Sequence, residues 1–93
     1  DGTRWRGGVR QGVVGLPGRG GPLRGIVAHL FAERHGELFG AYVRRLAPGG
    51  HALLTGILEA REVLVSEAIP SGLSVVGTDR DSGWILVHLR RGR

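Results

Sequence analysis

Apolar positions along the chain come in short runs separated by glycine-rich or charged stretches, and their spacing changes from run to run. "GIVAHL" (25–30) is continuous and contains the β-branched pair Ile26 and Val27, the pattern of a strand buried on both faces. In "FAERHGELFGAYVRRLA" (31–47) the spacing turns helical: Phe31, Leu38, Tyr42 and Leu46 form one stripe, which Phe39 and Val43 widen. Gly36 and Gly40 each cost such a helix ~1 kcal/mol relative to Ala, so packing rather than propensity has to hold it. Arg44 and Arg45 suit the negative end of the helix dipole. Pro48 stops the helix, and Gly49 or Gly50 is placed to take a left-handed cap.

"HALLTGI" (51–57) reads as a second buried strand. "LEAREVLVSEA" (58–68) reads as a second helix, with Ala60, Val63, Leu64 and Ala68 on one side and charges opposite. "LSVVGT" (73–78) and "WILVHLR" (84–90) are two more strands, joined by the polar turn "DRDSG". The order strand, helix, strand, helix, strand, strand predicts an α/β sheet with right-handed crossovers, closed by an antiparallel hairpin. In open α/β sheets the ligand crevice lies outside the carboxyl ends of the strands. Two such ends are visible, Ala28-His29-Leu30 and Thr55-Gly56-Ile57, and both would open on one rim.

Composition narrows the chemistry. Ninety-three residues allow one small domain, and a chain of this size buries only about 60–65% of its unfolded surface. No cysteine is present, which excludes disulfides, thiolate nucleophiles and Cys-ligated zinc. No lysine is present either, which excludes phosphate-loop and Schiff-base lysines, and there is no G-x-S-x-G. His29 and His35 are six apart with no carboxylate completing a ligand trio, so the four histidines do not read as a metal set. His35 falls on the apolar side of its helix and reads as a packed or half-exposed histidine; Glu33 and Glu37, with Arg34 nearby, read as solvated surface. The apolar runs are far shorter than the roughly 20 residues of a membrane span, and no signal peptide opens the chain, so a cytoplasmic setting is expected.

Charge divides the chain in two. Residues 1–24 carry five Arg against Asp1, while residues 25–93 carry eight Arg against seven acids. Residues 1–24 therefore read as a Gly/Arg-rich head, loop or remnant strand, and residues 25–93 as the α/β part. Arg4, Trp5, Arg6, Arg10 and Arg19 combine positive charge with a stacking ring, the ingredients of an RNA contact. Met, Lys and Asn are absent while Arg occurs thirteen times, a GC-rich coding pattern; without an initiator Met the chain reads as processed or as a fragment.

"GIVAHLFAERHGEL", "LAPGGHALLTGILEAREVLV" and "GWILVHLRR" resemble the C-terminal half of a class I S-adenosylmethionine-dependent methyltransferase. The likeness is to the bacterial family that methylates amines of large-subunit ribosomal protein eleven, over residues 25–91 well and 9–24 loosely. It implies a partial Rossmann-like sheet holding strands four to seven of the family order 3-2-1-4-5-7-6, with two crossover helices and a final antiparallel hairpin. It further implies S-adenosylmethionine as cofactor and a ribosomal protein as substrate. Arg24 stands where the family has Asp, and His29 where it has Asn; the resemblance implies a cofactor or substrate contact for His29 and a place on the acceptor rim for Thr55 and Gly56. Thr55 also reads as the cap of a plain strand-to-helix turn, and His29 as a structural strand-end histidine.

No G-x-G-x-x-G occurs, so the chain looks like half of a cofactor site and is expected to be inactive in isolation. The competing expectation is a non-catalytic interaction or RNA-binding module. By the family strand order "GIVAHL" lacks a neighbour, as does a strand at 9–14, which predicts self-association through a bare apolar edge or a disordered head.

Overall fold

The computed structural model describes residues 12–18 and 21–92. Its elements are β1 (Gly12–Pro17), β2 (Leu23–His29), α1 (Ala32–Arg45), β3 (Leu46–Leu58), a 3-10 turn (Glu59–Arg61), α2 (Glu62–Ala68), β4 (Leu73–Asp81) and β5 (Trp84–Arg91). The sheet order is β1-β2-β3-β5-β4. β2 and β3 are parallel, β5 runs antiparallel to β3, and β4 runs antiparallel to β5. The run β2-β3-β5-β4 is the 4-5-7-6 order that the resemblance implied.

Both helices cross over on the same side. α1 packs on β3 and on α2, and the face beneath them carries the core: Ile26, Ala28, Ala52, Leu54, Ile57, Ile85, Val87 and Leu89, all buried. Side chains alternate across a strand, so residues between these positions point to the opposite face, where no helix packs among the described residues. Val27 is accordingly 36% exposed. The continuous run in "GIVAHL" is therefore buried on one face and half-open on the other, a correction to the two-sided burial expected of it.

The edge of β2 is not bare. β1 pairs antiparallel along it, from Gly12↔His29 to Pro17↔Leu23, and Gly18 N–H donates to the Pro22 carbonyl (3.3 Å) in the connection. This corrects the expectation that both segments lack partners. Backbone hydrogen bonding needs no apolar pattern, so a glycine-rich segment next in sequence can fold back and satisfy the edge. The reason given for association at that edge is thereby removed.

Three boundaries also move. α1 ends at Arg45 without a glycine cap: Leu46 is already extended and fully buried, and Arg91 donates to its carbonyl. Burial of Leu46, paired with Leu23, pulls the chain straight into β3, leaving the positive φ of Gly49 (82°) inside the strand. In the second helical segment the 3-10 turn shifts the phase. Val65 is the residue that α2 buries, while Ala60, Val63, Leu64 and Ala68 are exposed. The hairpin turn is only Ser82-Gly83, both at positive φ (54° and 85°), the two-residue geometry that matches strand twist. Asp79, Arg80 and Asp81 belong to β4. Arg80 leaves the hairpin to pair with Glu62 (2.7 and 2.8 Å) and Glu59 (3.2 Å), tying β4 to the second helical segment.

Candidate functional site

His29 and Thr55 are register partners at the carboxyl ends of the two parallel strands. Thr55 Oγ1 donates to the Ala28 carbonyl at 3.3 Å, because a carbonyl can only accept. The hydroxyl then accepts from His29 Nδ1–H at 2.9 Å. With the proton on Nδ1, the lone pair of the neutral ring sits on Nε2. Thr55 thus orients the imidazole and selects its tautomer.

The Thr55 carbonyl is equally engaged. It accepts from Leu30 N–H (3.1 Å) and from His35 Nε2–H (2.9 Å). His35 is fully buried on the core side of α1. Burial holds its pKa below the usual imidazole value, opposed by the backbone hydrogen bonds at Thr55 and Leu30 and reinforced by repulsion from His29. His35 is therefore a neutral donor under the rim, and its reading as a packed histidine holds.

Thr55 and Gly56 together oppose Leu86 between the pairs Leu54↔Val87 and Ile57↔Ile85, which makes them a β-bulge. Gly56 adopts φ 84°, and a Cβ there would stand 2.8 Å from the Leu30 carbonyl oxygen. Only glycine combines that backbone angle with so close an approach of β2 to β3. Thr55 caps no helix: β3 runs on to Leu58, and the plain-turn reading is set aside.

An open cavity of about 460 Å³ lies over this lip, walled by His29, Thr55 and Gly56 on one side and by Asp79, Asp81 and Trp84 on the other. Asp79 pairs with Leu86 and Asp81 with Trp84, so alternation puts both carboxylates on the open face of the sheet. Neither carboxylate has an ion-pair partner among the described residues; Ser82 Oγ donates to Asp81 Oδ1 (3.1 Å). Sequence reading had assigned them to a turn. The signal that finds them is i, i+2 spacing on a strand whose hairpin must close at the rim where β3 ends. Phe31 and Leu58, 55% and 45% exposed, flank the lip on the helix side.

The structure therefore brings His29, Thr55 and Gly56 together. Arg24 lies at the other end of β2 and is exposed. Arg4, Trp5, Arg6, Arg10 and Arg19 lie outside the described residues. Among the described residues no group of three or more His, Asp or Glu is arranged to hold a metal ion, and no helix is long and apolar enough to cross a membrane.

Comparison with known proteins places this geometry. Residues 13–92 match the family model described as ribosomal protein L11 methyltransferase (PrmA). The ribosomal protein L11 methyltransferase of Thermus thermophilus is 43% identical over 72 residues, which are 76% of this chain and 28% of that protein. The Deinococcus radiodurans enzyme of the same name is 40% identical over 78 residues, 77% of this chain and 29% of that protein. The chain thus spans less than a third of the length of these relatives.

A solved ribosomal protein L11 methylase from Lactobacillus delbrueckii subsp. bulgaricus superposes with a TM-score of 0.72 at 21% identity, covering 81% of this chain and 40% of that one. TrmN from Thermus thermophilus gives 0.62 at 18% identity, covering 76% and 24%. The fold is accordingly part of a Rossmann-like methyltransferase sheet, in its strand-four-to-seven half. By its match over nearly all the described residues, the chain belongs to the ribosomal protein L11 methyltransferase family.

Proposed function

We propose that this chain is the acceptor-side part of an S-adenosylmethionine-dependent methyltransferase that acts on amines of a ribosomal protein in the cytoplasm. The observation that carries the reading is the lip itself. His29 and Thr55 are locked together at the ends of two parallel strands, facing two carboxylates and an indole across an open cavity.

S-adenosylmethionine, when bound, supplies a methyl group made electrophilic by its sulfonium sulfur. The residues present fit an amine better than they fit that cofactor, since the chain has no G-x-G-x-x-G. His29 is the group proposed to meet both, while the remaining cofactor contacts belong to other parts of a complete domain.

A lysine amine reaches the cavity as a cation and must lose a proton, at an ordinary pKa of about 10.4, before its lone pair can react. Asp79 and Asp81 attract the cation, and the exposed Trp84 ring offers a face for it. The Nε2 lone pair of His29 accepts an N–H hydrogen bond and so orients the nitrogen. Thr55 keeps that lone pair on Nε2, and the Gly56 bulge sets the approach. Catalysis of this kind rests on positioning and on exclusion of water, and it needs no covalent nucleophile.

Titration of the chain with a short lysine-containing peptide, followed by heteronuclear NMR, tests the reading. Shifts are expected at His29, Thr55, Asp79, Asp81 and Trp84, and they should vanish when the lysine is acetylated. Shifts that map away from the lip, or that survive acetylation, would overturn it. With labelled S-adenosylmethionine and the ribosomal protein, the isolated chain is expected to give no methylated product; turnover would contradict its assignment as half a site.

A further inference from the structure

The open face of the sheet carries a second constellation, four residues along β3 from Thr55 or about 13 Å at the usual strand rise. His51 Nδ1 and His88 Nε2 approach to 2.8 Å, with ring centroids 4.9 Å apart and planes tilted by 39°. The two residues are 37 apart in sequence and meet because β3 and β5 pair. Their strands lie inside the sheet, each paired on both sides, so the backbone under the rings is held rigidly. The positions flanking them in register are Gly25 beside His51 on β2 and Gly77 beside His88 on β4. A Cβ at Gly77 would meet nothing within 4 Å, and His51 is exposed, so solvent and solutes reach the pair.

We infer that His51 and His88 form a two-imidazole site for a late first-row divalent metal ion, copper in preference to zinc. A metal–imidazole bond is about 2.0 Å long, so two nitrogens bound at a right angle stand about 2.8 Å apart, whereas a tetrahedral angle would spread them to about 3.3 Å. The N–H···N hydrogen bond between the rings already brings the two nitrogens to the spacing of two ligands on one ion. On binding, the ring that now donates shifts to its other tautomer, its proton moving through water to the outer ring nitrogen, so that both facing nitrogens carry lone pairs that small ring rotations aim at the metal. Water fills the remaining positions.

The surroundings also select against hard cations. Arg90 is the register partner of His51 and lies two residues from His88 on the same face, next to Ser74. Leu53 stands opposite His88, and none of these register neighbours is a carboxylate. A site with a nearby guanidinium and no carboxylate does not hold calcium or magnesium, which need oxygen donors. Imidazole coordination has to supply the affinity.

Sub-stoichiometric Cu²⁺ added to the full chain, with imidazole proton resonances followed by NMR, tests the site without any substitution. His51 and His88 should be bleached together and before His29, His35 or the amino terminus. Ni²⁺ titrations of His51→Gln and His88→Gln should each show at least tenfold weaker binding than the parent, with His29→Gln unchanged. Both residues lie away from the acceptor lip, so the outcome is independent of the amine-methylation reading. Earlier bleaching elsewhere, less than tenfold loss in either variant, or zinc binding as tight as copper would overturn the inference.

Discussion

The two faces of one sheet obey different physics. Beneath the helices, Ile26, Ala28, Ala52, Leu54, Val87 and Leu89 are all at most 5% exposed, and no described ion pair lies among them. On the other face the sheet carries His29, Thr55, His51, His88, Asp79 and Trp84, polar or aromatic groups set among half-open aliphatics. Adjacent residues of one strand thus alternate between buried aliphatic and open, mostly polar positions. The buried apolar area lies on the first face, and the polar side chains of the lip lie on the second. At Thr55-Gly56 a bulge breaks the alternation on β3, as a register shift between Val75 and Gly77 does on β4.

Leu54 and Leu53 are neighbours on β3 that point to opposite faces, and they give the sharpest contrast. Leu54→Ala empties a fully buried position and should cost about 3 kcal/mol, whereas Leu53→Ala should cost less than about 1.5 kcal/mol. Urea unfolding of both variants measures the difference; equal losses would mean that the open face is packed too.

Gly56→Ala comes next. It forces a side chain into the left-handed region and against the Leu30 carbonyl, which should remove about 2 kcal/mol and loosen the lip. A variant as stable as the parent would show that the bulge is not constrained as described.

The hidden histidine tests the coupling between faces through pH. The folded-state pKa of His35 lies below its unfolded value, so the unfolded chain binds more protons between the two. Its contribution is therefore complete above about pH 6.5 and is lost as the pH falls below that. The slope from one such proton cannot exceed about 1.4 kcal/mol per pH unit. His35→Gln retains a donor for the Thr55 carbonyl and should flatten the acid limb of stability against pH. An unchanged limb would remove His35 as its cause.

The smallest effect expected lies deepest in the helix-covered face. Tyr42 is edge-on to Phe39 (5.9 Å, 80°), and its buried hydroxyl has no hydrogen-bond partner among the described residues. Burial pushes the phenol pKa up to about 12, with Arg34 opposing. Tyr42→Phe should be neutral or stabilising by up to about 1 kcal/mol, since it removes an unsatisfied group from an apolar setting. A clear loss in thermal unfolding would reveal a partner for the hydroxyl.

The covered face was largely legible in the amino-acid pattern, because helical and strand periodicities report burial directly. "HALLTGI" and "WILVHLR" found their strands, and the resemblance supplied their order in the sheet. The open face was read poorly for reasons that are equally physical. Val27 belongs to an unbroken apolar run, and periodicity cannot distinguish one-sided from two-sided burial there. β1 (Gly12–Pro17) was legible only in part, as a strand at 9–14, because the backbone hydrogen bonds that hold it leave little mark on a glycine-rich segment. The phase of α2 depends on a 3-10 turn at Glu59–Arg61 that no apolar spacing announces. His29, Thr55 and Gly56 could be named because strand ends are where α/β sheets bind. Asp79, Asp81 and Trp84 joined them only once the hairpin was closed, and the His51–His88 contact depends on register across 37 residues.

Long-range ¹H–¹⁵N spectra of the histidine side chains at neutral pH give the most direct test of the acceptor lip. The account predicts that His29 carries its proton on Nδ1 and none on Nε2, and that Thr55→Val, which removes the accepting hydroxyl, abolishes that preference. A proton on Nε2 in the parent chain, or a tautomer indifferent to Thr55, would contradict it.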